Sequence, residues 1–171
     1  MEESILEFGI KRENEERRDG GCAVVFDPKS QRYAVGLHEY HGAYWLFSGG
    51  LEEGEEAESG ILREVTEESG LCDFGHVEKI DEALAHYHNR LKNVNRVAHA
   101  TCFLVILKST KRVPVHLEAH ETFTLAWKSI EEVLQSWTEN NQGHSVDHWI
   151  YFFKKAIARV KELGYDTTSL T

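Results

Sequence analysis

One helical run constrains this chain more than any other feature. From Ala57 to Ser69 the apolar residues Ala57, Ile61, Leu62 and Val65 recur at helical spacing, and Gly70 supplies a C-terminal stop. The flanking sequence reads as strands. After Gly20-Gly21, "CAVVFD" and "RYAVGLHE" (32–39) are β-rich runs separated by the turn-like "DPKSQ", which predicts a hairpin. "YWLF" (44–47) is a short aromatic strand that Ser48-Gly49-Gly50 brings to an end. "HVEKIDEALAHYH" (76–88), "RVAHATCFLVILK" (96–108) and "TFTLAW" (122–127) follow. Only then do further helices appear. "SIEEVLQSW" has Ser129 as N-cap and Glu132 at the third helical position, and 145–163 carries Val146, Trp149, Ile150, Phe153, Ile157 and Val160 on one stripe. A helix set among strands, with helices at the end, defines an α/β or α+β class. Residues 20–171 read as one domain, and 1–19 as a charged N-terminal arm or edge strand with a small apolar knot at Ile5, Leu6, Phe8 and Ile10.

Composition narrows the possible partners. A chain of 171 residues with a net charge of −10 is sized for one core and lacks the basic surface that non-specific nucleic-acid binding needs. Nucleic acid is therefore an unlikely partner, whereas a polyanionic small molecule stays open, because a bound divalent cation can invert a local field. Cys22, Cys72 and Cys102 are widely spaced and contain no CxxC pair, so they read as reduced thiols. No apolar run approaches a membrane span, and the acidic start has no signal-peptide core. The expectation is a cytoplasmic protein with no membrane partner, and a homodimer stays open as its assembly.

The chemistry concentrates in "GGLEEGEEAESGILREVTEESGL" (49–71), where many glutamates share the stretch with a single basic residue, Arg63. On a helix, positions i, i+3 and i+4 share a face, so Glu64, Glu67 and Glu68 project together beside the apolar stripe. Like charges at that spacing repel. A solvated face would more cheaply interleave lysines, as the C-terminal helix does with Lys154, Lys155 and Lys161. Three uncompensated carboxylates at a core boundary are what a hard divalent cation requires, although an acidic helix taken alone is more often plain solvated surface.

The full spacing resolves that choice. Gly49, Glu55, Arg63, Glu64, Val65, Glu67, Glu68, Gly70 and Leu71 fill every defining position of the Nudix box, and the chain from about 20 to 163 resembles the Nudix hydrolase family. The resemblance implies an α/β/α sandwich around a mixed central sheet, with the box as a loop–helix–loop. It also implies hydrolysis of a pyrophosphate bond in a nucleoside diphosphate joined to another group, with a nucleoside triphosphate or dinucleoside polyphosphate among the candidates, and Mg²⁺ or Mn²⁺ as cofactor. Carried over to this sequence, Glu64, Glu67 and Glu68 would hold metal, helped by a backbone carbonyl at Gly49, and Glu64 is the first choice of general base. Glycine at 49 and 50 would permit close approach and an unusual φ at a tight turn. Arg63 would point away from the metal face and pair with Glu55. Two positions depart from the family pattern: Ser48 stands where proline is common, and Gly60 stands where the helix usually carries alanine.

Candidates outside the box are weaker. Many members use a late-loop glutamate as ligand or base, and "HLEAHETF" offers Glu118 and Glu121, with His116 and His120 beside them as incidental. His86 and His88 fall on one strand face, which is a poor argument for zinc. For substrate, Tyr40, Tyr44 and Trp45 could stack on a base, Tyr87 matches a position found in dinucleoside-polyphosphate enzymes, and Arg90, Lys92 and Arg96 could meet phosphates. Packing and solvated-turn roles explain the same residues. The rival to a hydrolase is a non-catalytic Nudix-fold module that senses a nucleotide. Such a module would be expected to have lost box carboxylates, and this chain retains them all.

Overall fold

The run from Gly20 to Asp27 is apolar at almost every position because both of its faces are covered. Cys22, Val24 and Phe26 belong to one buried cluster, and Ala23 and Val25 to another. Near-continuous hydrophobicity of this kind marks a strand at the centre of a layered structure. In a computed structural model that describes residues 4–39, 42–119, 121 and 123–165, the elements in chain order are β1 (Leu6–Gly9), β2 (Glu16–Arg17), β3 (Gly20–Asp27), β4 (Arg32–His38), β5 (Tyr44–Trp45), β6 (Phe47–Gly50), α1 (Ala57–Ser69), β7 (Phe74–Asn89), β8 (Val94–Leu107), β9 (Phe123–Lys128), α2 (Ile130–Asn140) and α3 (Asp147–Glu162). Tyr40, His41 and His120, singled out in the sequence, lie outside the described residues.

The strands form one mixed sheet in the order β1-β7-β8-β3-β4-β5, with β2 beside β8, β6 beside β3 and β9 beside β4. β3 runs parallel to β8, while β7–β8, β3–β4, β3–β6 and β4–β9 are antiparallel. Ile61 and Val65 of α1 close one face with Ala23, Val25, Phe47, Phe103 and Val105. Val133 and Trp137 of α2, with Phe152, Phe153, Ala156 and Val160 of α3, close the other. The result is an α/β/α sandwich. The N-terminal segment Leu6–Gly9 pairs in parallel with β7 at the sheet edge.

Local chemistry explains the boundaries. α2 starts at a complete capping box, in which the Ser129 side chain accepts from the Glu132 N–H and the Glu132 carboxylate accepts from the Ser129 N–H. α1 stops where Gly70 turns left-handed at φ 80°. A Cβ there would also meet the Val113 carbonyl at 2.3 Å, so no other residue fits. One expectation is corrected. The aromatic run is two strands, Tyr44–Trp45 and Phe47–Gly50, and the Ser-Gly-Gly that was to terminate it lies inside β6, where Gly49 pairs with Gly21 and Ser48 with Cys22.

Candidate active site

The glycine pair shows why α1 lies where it does. A Cβ on Gly49 would fall 2.3 Å from the Glu64 carboxyl carbon, so the bare backbone of β6 admits the carboxylate directly against it. Gly49 and Gly50 both lie outside the left-handed φ region, which corrects the expectation of an unusual backbone angle: the requirement is space alone. A Cβ on Gly50 would in turn meet the Arg18 guanidinium at 2.6 Å. Ser48 contributes through its backbone. Its N–H donates to Glu68 Oε1 at 2.8 Å, a bond that a proline at this position could not make.

Glu68 is buried, and burial together with a hydrogen bond to Glu121 pushes its carboxyl up to about 10. Glu64 is half-buried, and its desolvation, opposed by the Arg63 charge, pushes it up to about 7. Glu121 reaches these two from the loop before β9, and its Oε1 accepts from the Glu118 N–H at 2.8 Å. Glu118 itself is exposed. The loop is tied to the end of α1 by three further bonds: the His116 N–H to the Glu67 carbonyl at 2.7 Å, the Val113 N–H to the Gly70 carbonyl at 2.8 Å, and Arg112 Nε to the Ser69 carbonyl at 2.8 Å. These contacts were invisible to sequence reasoning, because nothing local marks 112–116 as the partner of a helix terminus.

Arg63 binds Glu55 bidentately, Nε to Oε2 at 2.9 Å and Nη2 to Oε1 at 3.0 Å, and this holds the Glu55 carboxyl down at about 2. It does not point away from the other carboxylates. Nη1 donates to Glu64 Oε1 at 3.0 Å and to Glu67 Oε2 at 3.1 Å. Two of the three box carboxylates on the helix are therefore compensated by one guanidinium, and Glu68 has no cation beside it among the described residues. Its partners are the Ser48 N–H and a second carboxyl. Gly60 also has its reason here, since a Cβ would sit 2.6 Å from both Glu55 Oε1 and Leu51 Cδ2.

The donor set suits Mg²⁺ or Mn²⁺. Glu64, Glu67, Glu68 and Glu121 offer hard oxygen ligands, and the two raised carboxyls mark a cluster short of positive charge. Among the described residues no three metal-ligating side chains stand in a ready cage, and the Arg63 guanidinium fills the space between Glu64 and Glu67. The set fits a divalent cation once that guanidinium gives way.

The remaining candidates are spread out. Trp45 is 41% exposed, and its ring stands between those of His38 (5.5 Å between centroids) and Trp149 (6.0 Å). Tyr44 is half-buried against the α2/α3 core with Lys128 over its ring, and its carbonyl accepts from Trp137 Nε1 at 2.7 Å. Tyr87 faces Arg96 across β7 and β8, with Arg90 exposed at the hairpin tip and Arg96 Nε buried without a hydrogen bond. Two strands of the sheet, β3 and β4, separate this pair from Tyr44 and Trp45. The two sets do not line one pocket. His86 is engaged with Glu15 at 2.7 Å, and His88 with Asn95 at 2.8 Å. An open cleft of about 510 Å³ lies between Arg17, Arg18 and Asp19 on one side and Leu51, Glu52, Glu53 and Glu55 on the other. The signal that could have found it is the basic pair Arg17-Arg18, one residue ahead of Gly20-Gly21.

Loop, helix and glycine pair in this arrangement define the class, and comparison with known proteins agrees. The family described as NUDIX domain matches residues 16–150. The chain belongs to that family and is a Nudix hydrolase by class. No curated protein matches its sequence significantly. Among solved structures it is similar to a putative NUDIX hydrolase from Listeria monocytogenes, with 20% identity, TM-score 0.63 and coverage of 88% of this chain and 99% of that one. It is similar as well to the NUDIX domain of Shewanella oneidensis NrtR complexed with ADP ribose (16%, 0.59, covering 92% and 90%) and to the Bacillus subtilis pyrophosphohydrolase BsRppH (15%, 0.56, covering 91% and 88%). At such identities the likeness is one of fold. Among the described residues no helix is long and apolar enough to cross a membrane.

Proposed function

We propose that this chain hydrolyses a phosphoanhydride bond in a nucleoside diphosphate linked to another group, with Mg²⁺ or Mn²⁺ held by Glu64, Glu67 and Glu68 and the Gly49 carbonyl. The observation that carries this reading is the placing of Glu64 and Glu68 against the bare backbone of β6, with Glu121 hydrogen-bonded to Glu68 from the loop. When bound, the cation supplies neutralisation of the pyrophosphate oxygens and acidification of water. The chain's own residues do the rest. Glu64, set directly against the Gly49 backbone, is the first choice of proton acceptor, and the Ser48 N–H fixes the orientation of Glu68. Glu121 shares the proton economy of Glu68, and the Glu118 N–H anchors it. Exposed Trp45 beside His38 offers a stacking surface for a base. Tyr87, Arg90 and Arg96, on the far side of the sheet, would meet only a second, extended portion of a substrate.

A nucleotide-sensing module is the second reading, and the ADP ribose bound to the NrtR domain gives it weight. Retention of every box carboxylate favours hydrolysis. The test is incubation of purified protein with Mg²⁺ or Mn²⁺ and a panel of nucleoside triphosphates, dinucleoside polyphosphates and nucleoside diphosphate sugars, with products resolved by chromatography. Turnover of one class supports the hydrolase. Binding without turnover of any member supports the sensor.

A further inference from the structure

Arg63 is braced at one end and shared at the other. Its Nε and Nη2 form a fork on Glu55, a geometry that holds the group in a fixed plane. Its remaining nitrogen, Nη1, reaches Glu64 at 3.0 Å and Glu67 at 3.1 Å, the two carboxylates that flank it on the helix. A monovalent cation thus already occupies the space between two oxygens that a divalent cation would need.

We propose that Arg63 is a resident counter-ion that competes with the metal for Glu64 and Glu67, and that Glu55 sets the strength of this competition by sharing the same guanidinium. This inference rests on the proposed metal-dependent reading of the same carboxylates. Two observations support it. The guanidinium is partly buried, with 28% of its side chain exposed, so its bonds to Glu64 and Glu67 are less screened than a surface pair. Finally, the Glu64 and Glu67 side chains can turn off Nη1 while Nε and Nη2 stay on Glu55, so release of these carboxylates requires no loss of the brace between loop and helix. Arg63 is in this sense a positioning residue. It keeps mutually repelling carboxylates ordered while the metal is absent and yields them when it arrives.

A purely structural brace and a competitor predict different signs. If Arg63 only braces the loop, Arg63→Met and Glu55→Gln both loosen the helix and both weaken metal binding. If it competes, Arg63→Met binds Mn²⁺ more tightly, on the order of tenfold, the equilibrium worth of one charge-assisted hydrogen bond. Glu55→Gln then binds it more weakly, because the guanidinium, no longer shared with the Glu55 carboxylate, is drawn on by Glu64 and Glu67 alone. In the double variant the effect of Glu55→Gln largely disappears. Binding is read by titration of Mn²⁺ against each folded protein, by calorimetry or by the paramagnetic resonance signal of the free ion, with no substrate present. Should Arg63→Met fail to fold, Arg63→Lys serves, since a single ammonium cannot bridge three carboxylates and tighter Mn²⁺ binding is again expected. Weaker or unchanged binding in the folded Arg63 variant overturns the inference while leaving the hydrolase reading intact. Absence of Mn²⁺ binding by the unaltered protein overturns both.

Discussion

Helices α1 and α3 lie on opposite faces of one sheet and carry similar densities of charge, yet their electrostatics have opposite outcomes. On α3 the cations meet carboxylates of β7. Lys155 Nζ lies 2.6 Å from Asp81, which also accepts from the Tyr151 hydroxyl at 2.5 Å, and Arg159 Nε lies 2.5 Å from Glu78. Arg159 holds the Glu78 carboxyl below its usual range. At Asp81 burial works against ionisation, but Lys155 and Tyr151 outweigh it and the carboxyl is likewise lowered. On α1 burial wins instead, and the carboxyls of Glu64 and Glu68 are raised to about 7 and about 10. Satisfied charge on α3 contributes modestly to stability, since pairs this exposed give about 0.2–1 kcal/mol. Unsatisfied charge on α1 costs stability and is the signature of a site that awaits a ligand.

The largest expected effect comes from breaking the α1 side. Glu68→Gln keeps the shape and the hydrogen bond from the Ser48 N–H but removes the titrating oxygen. Turnover of whichever nucleotide the panel identifies should fall by roughly 10²–10⁴-fold, the scale of a lost acid–base or ligand group. Because the folded carboxyl lies above its unfolded value, its contribution to stability is present at acid pH and is lost as pH rises above about 4.5. The variant should therefore unfold at a higher temperature than the unaltered metal-free protein at pH 8, and at nearly the same temperature at pH 4. Full activity in Glu68→Gln would remove the metal assignment.

Next in size is Gly49→Ala. The added methyl would stand 2.3 Å from the Glu64 carboxyl carbon, so Glu64 must turn away from the β6 backbone. Turnover should drop about 10- to 100-fold, as when the shell that orients a ligand is disturbed, with circular dichroism unchanged. An active Gly49→Ala protein would show that Glu64 does not work from this position.

The α3 side should respond to acid in the opposite direction. Burial lowers His148 to about 4, against a small opposing pull from Asp147. A histidine depressed in the fold binds its proton more readily when unfolded, so stability is lost as pH falls from about 6.5 towards 4, by at most about 1.4 kcal/mol per pH unit. Glu78 and Asp81 extend the loss to lower pH, because their carboxyls are also lowered in the fold. The metal-free protein should thus show two independent limbs in a plot of melting temperature against pH. His148→Gln should flatten the acid limb between about pH 6.5 and 4 and leave the alkaline limb, which belongs to Glu64 and Glu68. If both limbs moved together, the separation of the two faces would be lost.

Much of α1 was legible in the sequence, because its determinants are local. Apolar spacing, Gly70 and the box positions specify the bounds Ala57–Ser69, and the separation of Arg63 from Glu67 by four residues brings those two side chains together on any helix. What the sequence concealed depends on partners distant along the chain. The reach of Glu121 to Glu68 and the docking of 112–116 on the helix end are set by the sheet and not by any motif. Ser48 reads as a missing proline, but its value is a backbone N–H, a group that every other residue carries and no pattern reveals. Arg63 misled for a related reason. A guanidinium has five donors, and a fork on Glu55 leaves one nitrogen for neighbours that spacing alone had assigned to metal.

The smallest expected effect tests whether α1 is tuned for its site or for helix stability. Gly60 lies within the helix, where replacement by alanine ordinarily gains about 0.5–1 kcal/mol through reduced backbone entropy. Here its Cβ would stand 2.6 Å from Glu55 Oε1, the oxygen that accepts from Arg63 Nη2 and from the Glu52 N–H. Leu51 Cδ2, at the same distance, closes the other side of the space. Either the Glu55–Arg63 fork shifts or the loop before the helix lifts, and the gain in propensity is spent. Gly60→Ala should therefore leave the melting temperature unchanged or slightly lower, by no more than a few degrees for a domain of this size. A clear rise would mean that Glu55 has room to move, and that the brace which holds Arg63 beside Glu64 and Glu67 is looser than its two short bonds suggest.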